Sequence, residues 1–321
     1  MPVANALPLT TVVFPGQGSQ RPGMGRDFDE RFAASRHVYD EASDALGLDL
    51  RRVCFADDER LSRTEYAQPA ILVTEIAMLR GLGEAFGLTA WRFGGHSLGE
   101  YTALVAAGAI PLADAVRLVR ERGRLMQEAV PVGRGRMVAV LRERLDPDAI
   151  AASLDGLTVS VANDNSPDQV VLSGLADDVV AAEGRLTAAA GDVPLRLVPL
   201  DVSAPFHSPL MAPIEPAFAA MLGEASARWN PAAATRVASN LSGRFHDADA
   251  TSLLTRLVRQ ISNTVRWRSN MQTLTAEPSR ILEVGPGRPL RGFFKAIGVA
   301  IASITDVRSA ERTLAAERGG A

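Results

Sequence analysis

A serine flanked by glycines, between a short strand and a helix, is the feature that most constrains this fold. Gly95-His96-Ser97-Leu98-Gly99-Glu100 follows a segment with strand character and opens an Ala-rich run, 101–108, with strong helix preference. Glycines at both ends let the backbone turn sharply without a side-chain clash. The context matches a nucleophile elbow, in which free N–H groups at the helix N-terminus favour a developing negative charge. The alternative is a glycine-rich turn with a capping serine.

The bulk composition excludes several classes of protein. The chain has 321 residues, 47% hydrophobic and 22% charged, with a net charge of −3. These values predict a soluble globular protein without a basic field for nucleic acid. No apolar run is long enough to span a bilayer, and the first ten residues do not resemble a signal peptide. The single cysteine, Cys54, excludes an intrachain disulfide framework and a cysteine-based zinc cluster, so we expect a cytoplasmic protein.

A second glycine-rich loop follows the first predicted strand. The apolar, β-branched segment 11–14 ends in Pro15-Gly16-Gln17-Gly18-Ser19-Gln20. A loop of this kind presents backbone N–H groups to an oxygen ligand, although its spacing is not that of a nucleotide-binding loop. A plain strand-to-helix turn is the alternative.

Two helices are predicted around the elbow. Residues 68–79 form a buried helix with Pro69 in its first turn, and residues 111–128 form an amphipathic helix. Arg122 lies among several arginines of the second helix. On sequence alone, its side chain is expected to be solvated.

The middle of the chain predicts an inserted subdomain. Strand-like and helix-like segments between 134 and 204 follow the order β-α-β-β-α-β of a small ferredoxin-like unit. We therefore predict an α/β fold in which a large α/β-hydrolase-like domain with a parallel-sheet core covers 1–133 and 205–321. The ferredoxin-like subdomain covers 134–204.

Among the four histidines, His207 is the best-placed base by elimination. It lies in a Pro-flanked loop where the chain re-enters the large domain. His37 lies in a polar early helix and His246 in a polar loop, while His96 adjoins the serine. A structural or exposed histidine in the loop is the alternative.

Six motifs together resemble one family. The chain resembles the malonyl-CoA:acyl carrier protein transacylases, including the free-standing acyltransferases that serve polyketide synthases. The resemblance covers nearly the whole chain. Its anchors are residues 15–20, 95–100, the Arg122 helix ending in Met126-Gln127, 163–174, Phe206-His207-Ser208 and 283–287.

The resemblance implies catalytic roles for named residues. Ser97 is the implied nucleophile, and His207 the base that removes its proton and later protonates the leaving thiolate. Gln260 matches the glutamine position whose side-chain or backbone oxygen orients the imidazole. The backbone N–H groups of Gln17 and Leu98 match the oxyanion hole.

The resemblance also implies a carboxylate pocket. Arg122 matches the arginine that grips the malonyl carboxylate through two parallel hydrogen bonds, and Gln68 and Gln17 line the same pocket. Phe206 matches the bulky residue that crowds an α-methyl branch, but the flanking Pro205 differs from the commonest family patterns.

Two further positions need comment. We expect His96 to pack or hydrogen-bond near the pocket wall, and the alternative is a second base. Asn263-Thr264-Val265 replaces the more usual Asn-Pro-Val near Gln260.

The implied reaction is a ping-pong malonyl transfer from malonyl-CoA through a Ser97 ester to an acyl carrier protein. No metal or tightly bound cofactor is expected, since the phosphopantetheine belongs to the partner. The carrier is expected to be acidic, and the candidate docking patch is Arg256, Arg259, Arg266 and Arg268. Alternatives are a thioester hydrolase that edits carriers and a non-catalytic docking subunit.

The sequence leaves the pathway open between fatty acids and polyketides. The segment 203–208 favours polyketide service, and Met1 close to the first strand favours a free-standing enzyme. We expect a monomer.

Overall fold

The structure is a computed structural model that describes residues 9–202 and 204–314. The ends of the predicted large domain, residues 1–8 and 315–321, lie outside the described residues, and so does Ser203. In chain order the elements are β1 (Thr10–Phe14), α1 (Arg26–Arg31), α2 (Ala33–Leu46), α3 (Leu50–Phe55), α4 (Thr64–Phe86), β2 (Arg92–Gly95), α5 (Leu98–Ala107), α6 (Leu112–Glu128), β3 (Gly135–Leu141), α7 (Pro147–Leu154), β4 (Val159–Ser166), β5 (Gln169–Leu175), α8 (Ala176–Ala190), β6 (Arg196–Pro199), α9 (Glu215–Ala225), α10 (Pro231–Ala234), α11 (Ala250–Gln260), α12 (Trp267–Thr275), β7 (Arg280–Val284), α13 (Pro289–Ala296), β8 (Ala302–Ile304) and α14 (Val307–Leu314).

A four-stranded parallel sheet forms the centre of the large domain. Its order is β2-β1-β7-β8, and Phe14 at the end of β1 pairs with Gly95 at the end of β2. The β1 segment is fully buried, as its continuous apolar run predicts for a central parallel strand. The loops after β1, β2 and β7 therefore leave the sheet at one edge, where open α/β sheets bind ligands.

A separate antiparallel sheet has the predicted ferredoxin-like topology. Its spatial order is β4-β5-β3-β6. Along the chain, helix α7 connects β3 to β4, and helix α8 connects β5 to β6. Apolar side chains of β3 and β5 pack against α8 in a core of their own. The mixed α/β architecture is thus confirmed, while the domain limits at 134 and 204 stay a prediction.

Strand β4 also contacts the segment before α12 through backbone hydrogen bonds. The segment before α12 forms a parallel bridge from Val265 to Asn163. The Val265 N–H donates to Ala162 O at 2.8 Å, and the Thr264 hydroxyl donates to Val161 O at 2.6 Å. Thr264 stands where the family more often has proline, which would lack this donor.

One local prediction was wrong. Helix α4 begins at Thr64, so Pro69 lies inside the helix rather than in its first turn. The segment around Val237 forms isolated bridges, to Phe93 and between Ala238 and Phe245. In the described part of the chain, no helix is long and apolar enough to cross a membrane.

Candidate active site

The elbow has the geometry that its glycines predict. Ser97 caps helix α5 with φ 54° and ψ −104°, a conformation that L-residues rarely adopt. A Cβ on Gly95 would lie 1.9 Å from the Gly99 backbone, and one on Gly99 would lie 2.4 Å from Phe14 O. The turn therefore tolerates no side chain at either glycine.

The predicted serine–histidine pair is present. Ser97 Oγ lies 2.7 Å from His207 Nε2. The other ring nitrogen, Nδ1, donates to the backbone oxygen of Gln260 at 2.8 Å. Because a carbonyl oxygen only accepts, Nδ1 carries the proton and Nε2 is free to accept the serine proton. A backbone oxygen of Gln260, and not its side chain, orients the imidazole.

His207 is buried in a cationic neighbourhood. It is 4% exposed and adopts φ 55°. Burial, and then the positive charge of Arg122, lowers the pKa of His207 from 6.5 to about 3, although the Gln260 backbone bond opposes the shift. The imidazole is therefore neutral, as a base must be.

Arg122 lies inside the protein, contrary to the expectation of a solvated side chain for a charged residue. It is 1% exposed, because α6 turns this position toward α4 and α5. Its guanidinium donates to Gln68 Oε1 at 2.8 Å, Gln260 Oε1 at 3.0 Å and Ser97 Oγ at 3.2 Å. All three partners are neutral, and burial lowers the pKa of the Arg122 guanidinium.

One donor of this guanidinium is unused. The buried Arg122 Nε has no hydrogen-bond partner among the described residues. Arg122 also forms no ion pair with a described carboxylate, and its Cζ lies 5.4 Å from the Tyr101 ring centroid. A desolvated cation with neutral partners favours an anionic group beside Ser97.

The predicted oxyanion donors border the same space. Gln17 and Leu98 both line the cavity that contains Ser97. The Ser97 N–H donates to Asn240 Oδ1 at 2.6 Å, so it is not available to a ligand. The Gln17 side chain donates to Thr64 Oγ1 at 3.1 Å.

The cavity is about 630 Å³ in volume and runs between the two sheets. That volume suits a small-molecule site. Phe206, 8% exposed, and Gln68, 2% exposed, line it as predicted. The small sheet and its flanks contribute Met137, Asn163, Leu200 and Val202.

His96 packs at the wall of this cavity. Its Nε2 lies 2.7 Å from Asn165 Oδ1, and its ring contacts Trp267 edge-on. Burial lowers the pKa of His96. No contact joins His96 to the Ser97 hydroxyl in the described residues, which favours the predicted packing role over a second base.

Sequence reasoning missed a polar network behind the elbow. Glu100, 0% exposed, accepts from Gln260 Nε2 at 2.6 Å, from the Asn240 N–H at 3.0 Å and from His246 Nε2 at 2.8 Å. His246, predicted in a polar loop, is only 3% exposed. A charged residue in the first turn of an apolar helix was the available signal.

Two of the four arginines of the predicted docking patch already form ion pairs within the protein. Arg256 is paired with Asp247, and Arg268 lies 2.8 Å from Asp164. Arg259 and Arg266 are exposed, and neither forms an ion pair with another described residue.

A buried imidazole bonded to an elbow serine, at the edge of a parallel sheet, defines the class of enzymes that carry acyl groups on a serine oxygen. Residues 11–288 match the family model of the acyl transferase domain. Curated relatives make the assignment more particular. The chain is 38% identical to the malonyl CoA-acyl carrier protein transacylase of Bacillus subtilis, over 96% of this chain and 98% of that protein.

Further relatives and solved structures agree. The transacylase of Escherichia coli K12 is 38% identical over 89% of this chain and 91% of its own length. The Clostridium perfringens transacylase structure superposes with a TM-score of 0.87 at 35% identity, covering 97% of this chain and 98% of that chain. A malonyl-transacylase in complex with a type II PKS acyl-carrier protein gives 0.86 at 36% identity, covering 96% and 99%. The chain belongs to the malonyl CoA-acyl carrier protein transacylase family.

Proposed function

We propose that this enzyme transfers a malonyl group from malonyl-CoA, through an ester on Ser97, to the phosphopantetheine thiol of an acyl carrier protein. One observation carries the proposal. Arg122 is buried, bonded only to neutral groups, and reaches within 3.2 Å of Ser97 Oγ. An acyl group on that oxygen that ends in a carboxylate would meet the guanidinium directly.

The first half reaction uses the serine–histidine pair. His207 Nε2 takes the proton of Ser97 Oγ as this oxygen attacks the thioester carbonyl of malonyl-CoA. The carbonyl oxygen becomes an oxyanion, for which we assign the backbone N–H groups of Gln17 and Leu98. Loss of one such donor typically costs about 3 kcal/mol of transition-state stabilisation. When the C–S bond breaks, His207 returns the proton to the thiolate of CoA.

The second half reaction reverses these roles. The carrier thiol gives its proton to His207 Nε2 and attacks the Ser97 ester. The new C–S bond forms, the Ser97 C–O bond breaks, and the proton passes back to the serine oxygen. These proton movements and the oxyanion contacts require no metal or tightly bound cofactor.

Arg122 supplies acyl selection in this proposal. A guanidinium binds a carboxylate through paired charge-assisted hydrogen bonds, whereas an acetyl group would leave the buried cation unpaired. Gln68 and Gln260 fix the guanidinium from two sides. Phe206 lines the cavity and is proposed to crowd an α-methyl branch, an effect worth about 1–3 kcal/mol. The same chemistry serves fatty acid and polyketide synthesis.

The mass of a carrier protein tests the proposal. After incubation with malonyl-CoA and enzyme, a phosphopantetheinylated carrier should gain one malonyl group. The Ser97→Ala variant should leave the carrier unloaded. Free malonate without a loaded carrier would instead support the editing hydrolase. An enzyme that acquires no malonyl mass on Ser97 would support the docking subunit. A monomeric state and a cytoplasmic location stay predictions from the sequence.

A further inference from the structure

Arg122 and Glu100 are joined through one amide without touching each other. Arg122 donates to Gln260 Oε1 at 3.0 Å, and Gln260 Nε2 donates to Glu100 Oε2 at 2.6 Å. All three side chains are at most 1% exposed. A buried cation and a buried carboxylate are therefore separated by a single neutral side chain.

The orientation of that amide is fixed at both ends. Gln260 Nε2 also donates to the backbone oxygen of Ser97 at 3.1 Å, and a carbonyl oxygen can only accept. Arg122 can only donate, so it requires the oxygen end of the amide. Glu100 Oε2 also accepts from the Asn240 N–H, an obligatory donor. If the Gln260 amide were flipped, its contacts with Arg122, Ser97 O and Glu100 would all be lost. The amide therefore keeps its oxygen toward Arg122 and its nitrogen toward Glu100.

Glu100 is itself held away from Arg122. His246 Nε2 binds its second carboxylate oxygen, Oε1, at 2.8 Å. The described hydrogen bonds of the buried Glu100 carboxylate are therefore those with Gln260, Asn240 and His246. No direct ion pair with Arg122 forms.

We propose that Glu100 is an internal counter-charge for Arg122, kept one amide away by Gln260 so that the guanidinium stays open to the acyl carboxylate. Glu100 is a positioning residue in this arrangement, and the inference rests on the proposed malonyl transfer. A direct Glu–Arg pair would occupy the donors that the substrate needs. A guanidinium with no negative charge nearby would hold the malonyl carboxylate more tightly than turnover requires.

The Glu100→Gln variant separates charge from hydrogen bonding. Its carboxamide oxygen can accept from Gln260 and Asn240, and its NH₂ can donate to His246 Nε2 once that ring changes tautomer. The hydrogen bonds remain, but the negative charge is lost. Affinity for a donor that carries a carboxylate should therefore rise, while affinity for one without it should not.

The experiment compares two ligands of the same channel. CoA shares the thiol arm of malonyl-CoA but lacks the acyl carboxylate. In Glu100→Gln, we expect the KM for malonyl-CoA in Ser97 acylation to fall at least threefold, while the Ki of CoA changes less than twofold. A purely structural role for Glu100 would shift both constants together. An unchanged or raised KM for malonyl-CoA at constant Ki would overturn the proposal.

Three further variants close the test. His246→Gln disturbs the same buried network but keeps the Glu100 charge, so its ratio of Ki to KM should stay within twofold of wild type. In an Arg122→Ala background, Glu100→Gln should no longer change the ratio. If Glu100→Gln does not fold, Glu100→Asp draws the carboxylate back from Gln260 and should raise the ratio by a smaller factor. Failure of wild-type loading would refute the proposed function instead, before any variant is compared.

Discussion

Ser97 and His207 are 2.7 Å apart at Oγ and Nε2, and both adopt a positive φ, 54° and 55°. Non-glycine residues rarely adopt a positive φ, so the surrounding structure must impose this backbone conformation on both residues. The strain brings together side chains 110 positions apart. Substitutions that relax either backbone should therefore separate the pair before they unfold the protein.

Gly99→Ala should move the elbow. The added Cβ would lie 2.4 Å from Phe14 O and 2.7 Å from Pro15 O, both backbone atoms that cannot rotate away. Overpacking of this kind typically costs about 1–3 kcal/mol of unfolding free energy, and helix α5 should shift with Ser97. Urea denaturation and the rate of Ser97 acylation measure the two effects.

A matched control for Gly99→Ala is a glycine whose replacement by alanine should stabilise the protein. Gly184 lies within helix α8, and a Cβ there would meet no atom within 4 Å beyond its chain neighbours and its own helix backbone. Gly184→Ala should stabilise the protein by about 0.5–1 kcal/mol and leave acylation unchanged. A Gly99→Ala enzyme with wild-type acylation would contradict the close-approach argument.

Arg122→Ala should lose malonyl transfer selectively. Removing one partner of a buried ion pair costs about 3–5 kcal/mol, so kcat/KM for malonyl-CoA should fall at least 100-fold. Acetyl-CoA makes no such pair, and its kcat/KM should fall less or rise. Acyl-enzyme formation followed by mass spectrometry with both donors gives the comparison. Equal losses on the two donors would count against the carboxylate site.

The pH profile should reflect the lowered pKa of His207. Because burial and Arg122 hold this pKa at about 3, kcat/KM for acylation should stay flat as the pH falls from 8 to 5, with no limb near 6.5. Arg122→Ala removes one cause of the shift and should move the acid limb to higher pH. Stopped-flow acylation at constant ionic strength measures it, and a wild-type limb near 6.5 would refute the assignment.

The lowered pKa of His207 also makes the free energy of unfolding depend on pH. A histidine whose pKa is depressed in the folded state contributes free energy of unfolding that is present above pH 6.5. That contribution is lost as the pH falls from 6.5 toward 3.

Glu75 should give the opposite dependence. It is 0% exposed, and burial raises its pKa well above 4.5, with a further increase from Glu283. A carboxyl group with a raised folded-state pKa stabilises the protein most below pH 4.5, and this stabilisation declines as the pH rises above that value. Glu75→Gln should therefore flatten the stability curve between pH 5 and 9. Urea denaturation at several pH values tests this, with the exposed Glu30→Gln as the baseline, and an unchanged slope would contradict it.

The unpaired arginines give a prediction about the carrier. Reversing Arg259 and Arg266 to glutamate should raise the KM for an acidic carrier several-fold at low salt and spare acylation by malonyl-CoA. Arg80→Glu is the control, since this exposed residue lies about 18 Å along helix α4 from Gln68. Equal carrier KM values in both variants would discard the patch.

Local sequence patterns predicted the elbow, the parallel strands and the small ferredoxin-like sheet because each depends on glycine placement or short-range periodicity. His207 followed by elimination. Residue type alone suggested a solvated Arg122, whereas the family resemblance implied a place in the pocket. Val119 and Met126, at positions i−3 and i+4, put it on the buried face of α6. Asn240, Glu100 and His246 were missed, because single polar residues far apart in sequence leave no periodic signal for a shared network.

The bridge between Val265 and Asn163 has a practical consequence for enzyme engineering. Met137 and Asn163 belong to the small sheet, whereas Ser97 and Arg122 belong to the large domain, and all four face one cavity. Grafting residues 135–199 from a relative with another acyl preference would exchange one wall and leave the reacting atoms in place. Such a chimera needs a compatible 263–268 stretch from the same parent, since mismatched hydrogen bonds there would misalign the transplanted wall.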